Sequence, residues 1–246
     1  MRRHATFAIL IFFAVILAAG TTNSAQAQDF GIDVTIGVKK KIVKGLNVSL
    51  EGTVATQDKS SELDKLEIQA EIAYRPVKYV KIDAGYSFIE RYKPRHTTDG
   101  GNTVMAYWSP RHRAFGSVAG ILPVGDFAIS LRERYQFTHR SRVTADKYDA
   151  DGDPMADKVV AAQDAHILRS RLQFEWDVHG IPLTPYVSVE PHNDLADSFA
   201  LDKLRCTVGA DYVLDKKHTL SLFYRYDYEP DDDDMHLIGL GYEFKF

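Results

Sequence analysis

The 246-residue sequence has one cysteine, which excludes a disulfide scaffold and any cysteine-rich metal site. It lacks an excess of basic charge. Thirty Lys and Arg against 34 Asp and Glu give a formal charge of −4 at pH 7, whereas a general nucleic-acid binder presents a basic face. Nucleic acid is therefore not an expected partner. Glycine (16) and proline (9) are too sparse for collagen-like or low-complexity chain. Past the first 27 residues there is no apolar run of the roughly 20 residues that a membrane helix needs. Mean hydropathy is −0.26, a value that at first sight suggests a soluble protein.

What is present begins with a targeting pattern. Met1-Arg2-Arg3 is a short basic start, Phe7 to Ala19 is an apolar run, and Ala25-Gln26-Ala27 is a small-residue cleavage site. Together these describe a secretory signal peptide, and the apolar run is too short for a spanning anchor. No cysteine follows the run, so a lipid anchor on a new N-terminal cysteine is not expected. The expected division is a signal peptide over 1–27 and one domain over 28–246. Cleavage leaves 219 residues and, with Arg2 and Arg3 removed, a formal charge of −6.

From Asp29 onward the hydrophobic period is two. In 64–75, Leu66, Ile68, Ala70, Ile72 and Tyr74 share one side, and Lys65, Glu67, Gln69, Glu71 and Arg75 the other. The same pattern runs through 79–89, 126–138, 166–176 and 219–229. Alternation of this kind marks strands with two unlike faces. Eleven candidate strands emerge, at about 30–39, 45–56, 64–75, 78–91, 111–122, 126–139, 165–177, 184–191, 201–213, 218–229 and 235–246. Most exceed the 5–6 residues typical of soluble sheets and match the roughly 9–11 that cross a bilayer at a tilt.

Three features separate a membrane barrel from a soluble sandwich. Strand length is the first. The second is that short connections near 75–78, 122–126, 178–183 and 214–217 alternate with longer polar ones at 92–110, 140–164 and 192–200, as in an outer-membrane barrel. The third is the ending, in which Ile238, Leu240, Tyr242, Phe244 and Phe246 alternate with Gly239, Gly241, Glu243 and Lys245. Tyr242, Phe244 and Phe246 resemble the C-terminal signal read by the outer-membrane barrel assembly machinery, which is thus an expected partner. The fold expected is all-β: a transmembrane antiparallel up-and-down barrel of about 10–12 strands. A closed barrel leaves no backbone polar group facing lipid. It also accounts for the modest hydropathy, because half of each strand faces a polar interior.

DFGIDVTIGVKKKI at 29–42, YRPVKYVKIDAGYSF at 74–88, LRERYQF at 131–137 and ILRSRLQFEW at 167–176 carry a further resemblance. So do LTPYVSVE at 183–190, KKHTLSLFYRYDYE at 216–229 and GLGYEFKF at 239–246. The chain resembles an uncharacterised family of Gram-negative outer-membrane barrels, a domain of unknown function. The resemblance implies the fold and the outer membrane as location; it implies no activity.

The strand count raises a conflict. With the C-terminus periplasmic, counting back through eleven strands starts the segment 30–39 on the outside, and single-chain bacterial barrels normally have even strand numbers. The preferred resolution is ten closing strands over 45–246, with 29–40 packed partly in the lumen or extending a rim. A twelve-stranded barrel is the rival.

The inward positions collect charge. Arg132, Arg134, Arg169 and Arg171 fall on neighbouring strands, and Glu67, Glu71, Asp83, Glu175, Glu190, Asp211 and Asp227 supply the opposite sign. They are expected to form a luminal ion-pair network or an arginine-lined pore favouring small anions. Glu133 falls on the apolar face beside Leu131 and Tyr135, where a bulge or an inter-barrel contact would accommodate it. The loop DKYDADGDPMAD at 146–157 places Asp149, Asp151, Asp153 and Asp157 at spacings that a hard cation could share. It departs from the standard calcium loop, with Val160 where the twelfth-position Glu belongs, so calcium is only a minor cofactor candidate and a solvated turn is expected. Asp231 to Asp234 read as a hairpin tip. Outward acidic loops suit contact with outer-membrane lipids and lipopolysaccharide. Cys206 reads as a small outward apolar residue. Trp108, Trp176, Tyr107, Tyr86, Tyr224, Tyr226 and Tyr228 suit interfacial girdles.

The expected function is a passive small-solute channel or an envelope-structural barrel with a narrow polar lumen. A lipid- or lipopolysaccharide-modifying barrel enzyme is the alternative, with His112, His139, His166 and His192 beside Asn193 as candidate bases in no recognisable motif. A soluble periplasmic sandwich or lipocalin-like binder is the second alternative.

Overall fold

A computed structural model describes residues 29–57, 61–230 and 234–246. The proposed signal peptide and most of the Asp231–Asp234 run lie outside these residues. Eleven long strands form in chain order: β1 (Asp29–Val43), β2 (Leu46–Gln57), β3 (Glu62–Val77), β4 (Val80–Lys93), β5 (Tyr107–Val124), β6 (Phe127–Arg140), β7 (Gln163–Trp176), β8 (Leu183–Asp194), β9 (Ala200–Val213), β10 (His218–Tyr228) and β11 (Met235–Lys245). No helix occurs among the described residues. Each strand pairs with its sequence neighbours, and β1 pairs with β11 to close the barrel.

The outward face is apolar and the inward face ionic. Ile36 and Leu222 are 60% and 55% exposed on the outside, whereas Asp83 and Ser87 on the inside are 3% and 0% exposed. A soluble sandwich or lipocalin-like binder would place these stripes the other way round, so that alternative is set aside. Aromatic pairs flank the apolar band. Phe127 stacks on Phe174, with Trp176 beside it, at the short-turn end, and Trp108 packs on Tyr92 at the other. Between them, Tyr135 hydrogen-bonds His166 at 2.8 Å, and Tyr86 hydrogen-bonds His112 at 2.6 Å. These tyrosines and histidines satisfy each other's polar atoms on the apolar outer face.

Tight turns join the strands at the end that carries Lys245. Gly45, with φ +85°, and Gly125, with φ +62°, take the left-handed conformation at two of them. The opposite end carries the longer connections. There, Thr103–Val104 pairs with both His96–Thr97 and Lys147–Tyr148, and Val143–Ala145 pairs with Lys158–Val160.

The closure corrects the sequence-based expectation in two ways. The segment 29–40 neither lies in the lumen nor extends a rim. As β1 it is a full wall strand, paired with β2 on one side and β11 on the other, so the barrel has eleven strands rather than ten or twelve. The seam is parallel: Asp29 lies opposite Met235 and Lys39 opposite Lys245. Strands that reverse direction at every turn leave the first and the eleventh pointing the same way, so an odd barrel can close only through a parallel pair. The antiparallel rule holds everywhere else. Asp29 accordingly sits at the long-loop end, which removes the conflict in the strand count.

Candidate functional site in the lumen

Alternation places inward side chains at every second residue, and register decides which of them meet. Across β6 and β7, Arg134 lies opposite Arg169 and Arg132 opposite Arg171. Four guanidiniums therefore form a two-by-two block, an arrangement of like charges that is unfavourable without counter-ions. Arg134 donates to Asp83 Oδ1 at 2.9 Å and approaches Glu71 Oε2 at 3.6 Å, with its guanidinium 4.0 Å from the Phe115 ring centre. Lys81 joins the same carboxylates, 3.3 Å from Glu71 and 3.5 Å from Asp83. Glu190 on β8 accepts from Arg132 at 2.7 Å and from Arg169 at 2.8 Å through the same oxygen. Arg169 also donates to Gln136 at 3.2 Å. Arg171 has no ion-pair or hydrogen-bond partner among the described residues, and its Nε is buried.

A second cluster lies across β9 and β10. Arg205 holds Asp227 through two hydrogen bonds of 2.8 and 2.7 Å, a fork-on-carboxylate geometry that fixes both groups. Arg225 lies 3.6 Å from Asp33 and 3.7 Å from Asp227. Lys203 bridges Asp227 and Glu229. Glu67 is held by Lys65 at 3.0 Å and Arg113 at 3.7 Å. Glu175 accepts from Gln173, and Asp211 from Ser221, both at 2.6 Å. The predicted luminal residues thus do face one interior, but in separate clusters rather than one ladder. Arg113, Arg205 and Lys81 went unmarked in the sequence although they sit at inward parity on their strands; that parity was the available signal.

The other candidates divide. Glu133 needs no bulge, because the registers of β6 with β5 and β7 run unbroken past it. Instead Ser170, directly opposite on the outer face, donates to Glu133 Oε2 at 2.6 Å. Asp149 Oδ1 accepts the backbone N–H groups of Asp151 and Asp153 at 3.0 and 2.8 Å. Its carboxylate thus closes a turn, and Asp149, Asp151, Asp153 and Asp157 do not converge. Among the described residues no group of three or more His, Cys, Asp or Glu is placed to hold a metal ion. At the chain end, Tyr242 hydrogen-bonds His218 at 2.6 Å and Phe244 stacks on Phe246.

His192 lies in the lumen, 3.9 Å from Glu190. His112 and His166 are held by tyrosines. His139, of the four candidate bases, has a carboxylate within hydrogen-bond distance, Asp164, at 2.6 Å on the exposed outer face near the long loops. Among the described residues no serine hydroxyl hydrogen-bonds His139. Cys206 faces outward, in a concavity of about 590 Å³ whose lining includes Phe174, Val187, Val208 and Tyr224. This hollow is on the apolar outer wall, away from the charged groups.

The fold is similar to two solved structures. The β domain of the Bordetella autotransporter BrkA matches with a TM-score of 0.60 at 16% identity, covering 84% of this chain and 86% of that one. The translocator domain of the autotransporter NalP from Neisseria meningitidis matches with a TM-score of 0.59 at 13% identity, covering 95% and 94%. At these identities the likeness is one of fold: an outer-membrane type of β-barrel. No curated protein matches the sequence. Residues 32–236 match the family described as "Protein of unknown function (DUF2490)", and the chain belongs to that family.

Proposed function

We propose that this is an outer-membrane barrel of the Gram-negative envelope whose lumen is closed by its own side chains, serving a structural role rather than free diffusion. One observation carries the reading: the charged luminal groups Asp83, Glu190 and Asp227 are as shut off from solvent as a protein core. An eleven-stranded wall encloses a narrow space, and paired arginines and carboxylates are large enough to fill it. The outer-membrane location draws support from the apolar outer wall, the aromatic flanks, the two barrels of similar fold and the secretory pattern of the first 27 residues. In planar bilayers, folded protein is expected to insert without single-channel steps. Regular steps of porin size would overturn the closed-lumen reading and restore the passive channel.

The His139–Asp164 pair favours a second reading, an outer-membrane enzyme acting on lipid or lipopolysaccharide. Asp164 is placed to orient the His139 ring, which leaves the other ring nitrogen free as a base at the lipid interface. Unchanged mass spectra of lipid A and phospholipids after overexpression would exclude it.

A further inference from the structure

Counting charge cluster by cluster singles out one place in the lumen. Around Asp83 the balance closes, with Arg134 and Lys81 against Asp83 and Glu71. Around Asp227 it also closes, with Lys203, Arg205 and Arg225 against Asp227, Glu229 and Asp33. Around Glu190 it does not. Arg132 and Arg169 share that single carboxylate, and Arg171, beside them, forms no hydrogen bond or ion pair with it. Register brings Arg132 and Arg171 directly opposite each other, so the two guanidiniums cannot avoid one another by strand geometry. Partly buried positive charge of this density requires a counter-charge, and among the described residues only one carboxylate, Glu190, stands within ion-pairing distance of any of the three.

We infer that the Arg132–Arg171 pair is a binding site for a small oxyanion of the phosphate class, completed by Arg169. A guanidinium offers paired N–H donors that match two oxygens of a tetrahedral anion. The Nε atoms of Arg132 and Arg171 are both buried without a hydrogen-bond partner, so donors remain unused on each side of the gap. The Arg132 and Arg169 side chains keep 11% and 13% of their surface accessible while Glu190 keeps 4%, so solvent reaches the cationic edge of the cluster and not its carboxylate. Toward the short turns the next inward residues on β6 are the small Ser130 and Ala128, opposite Gln173 and Glu175 of β7, which are hydrogen-bonded to each other. The arginines above, on the long-loop side, are tied to Asp83 and Glu190. The site is therefore approached along the Ser130–Ala128 side from the short-turn end and is not a station on a through-path. It deepens the closed-lumen reading and rests on it only for that one-sided access.

The test is calorimetric titration of the folded full-length barrel in detergent with inorganic phosphate at fixed ionic strength, alongside Arg171→Gln and Arg171→Lys. Retention of the compact form on unheated gels checks the fold of each variant, and Arg171→Lys keeps the charge should Arg171→Gln fail to fold. Wild type is expected to bind phosphate, Arg171→Gln about tenfold or more weaker, and Arg171→Lys between them, because a charge-assisted pair of hydrogen bonds is lost or reduced. Absence of phosphate binding by wild type, or equal binding by wild type and Arg171→Gln, overturns the site. Bilayer recordings separate this from the reading above. A conducting barrel that binds phosphate through Arg171 loses the closed lumen and keeps the site; a silent barrel that binds none loses the site alone.

Discussion

Glu190 and Glu133 sit on opposite faces of the same wall, and their surroundings could hardly differ more. Glu190 points inward and is held by two arginines at 2.7 and 2.8 Å. Glu133 points outward into the apolar band, and its described partner is a neutral hydroxyl, Ser170. Inside, the space is too dry to leave charge unanswered, so most luminal charges are met by one of opposite sign, Glu190 by two. Outside, in the outer-membrane placement proposed above, hydrocarbon would answer nothing, and a carboxylate there is a cost that only a neighbouring donor reduces.

The largest effect expected comes from breaking the inner rule. Glu190→Gln leaves Arg132 and Arg169 partly buried without their counter-charge, and should lower the unfolding free energy in urea by about 3–5 kcal/mol, as for other buried pairs that lose one member. Glu133→Leu should act in the other direction, raising stability by about 1 kcal/mol, since it removes a polar group from the lipid-facing band. If both variants shift stability the same way, the contrast between the two faces fails.

A second pair of substitutions sharpens the contrast without charge. Gly239 lies beneath the Phe223 ring, and an added Cβ would fall well inside van der Waals contact with it. Gly116 faces outward with nothing near the place a Cβ would take. Gly239→Ala should therefore cost about 1–3 kcal/mol through overpacking, and Gly116→Ala should stay within about 0.5 kcal/mol of wild type as an unconstrained surface change. Urea unfolding of the two variants side by side checks it.

These contrasts also show what could be read in advance. Period-two alternation assigned each strand and each face, because the outer stripes of β3, β6 and β10 are nearly uninterrupted. The parity of Arg132 and Arg171 was legible for the same reason. Their partners were not. Glu190 lies 58 residues from Arg132 in sequence, and alternation says which way a side chain points but not which neighbour stands opposite, since register is set by turns and pairing rather than by pattern. The parallel seam escaped for a related reason: the stripes of β1 and β11 look like those of any other strand, and only closure reveals that they are adjacent. Glu133 was recognised as out of place, yet the donor that reconciles it, Ser170, is an unremarkable residue until register puts it alongside.

The smallest effect belongs to a carboxylate that is in neither environment. Asp215 lies in the short turn between β9 and β10, fully in water, and its Oδ1 accepts the backbone N–H groups of Lys217 at 2.7 Å and His218 at 2.9 Å. The Lys217 N–H foremost, and the His218 N–H with it, favour the ionised form and hold the carboxyl below its ordinary value. A carboxyl depressed in the folded state contributes its stability above the unfolded value of about 3.9 and loses it as pH falls through the folded one. Asp215→Ala should therefore be slightly less stable than wild type at neutral pH, and the gap should close as unfolding is measured at pH values below about 4. Water competes for every group in this turn, so the same number of hydrogen bonds that makes Glu190 indispensable leaves Asp215 nearly replaceable. A pH-independent gap would mean that the turn acts through backbone shape and not through the charge of its aspartate.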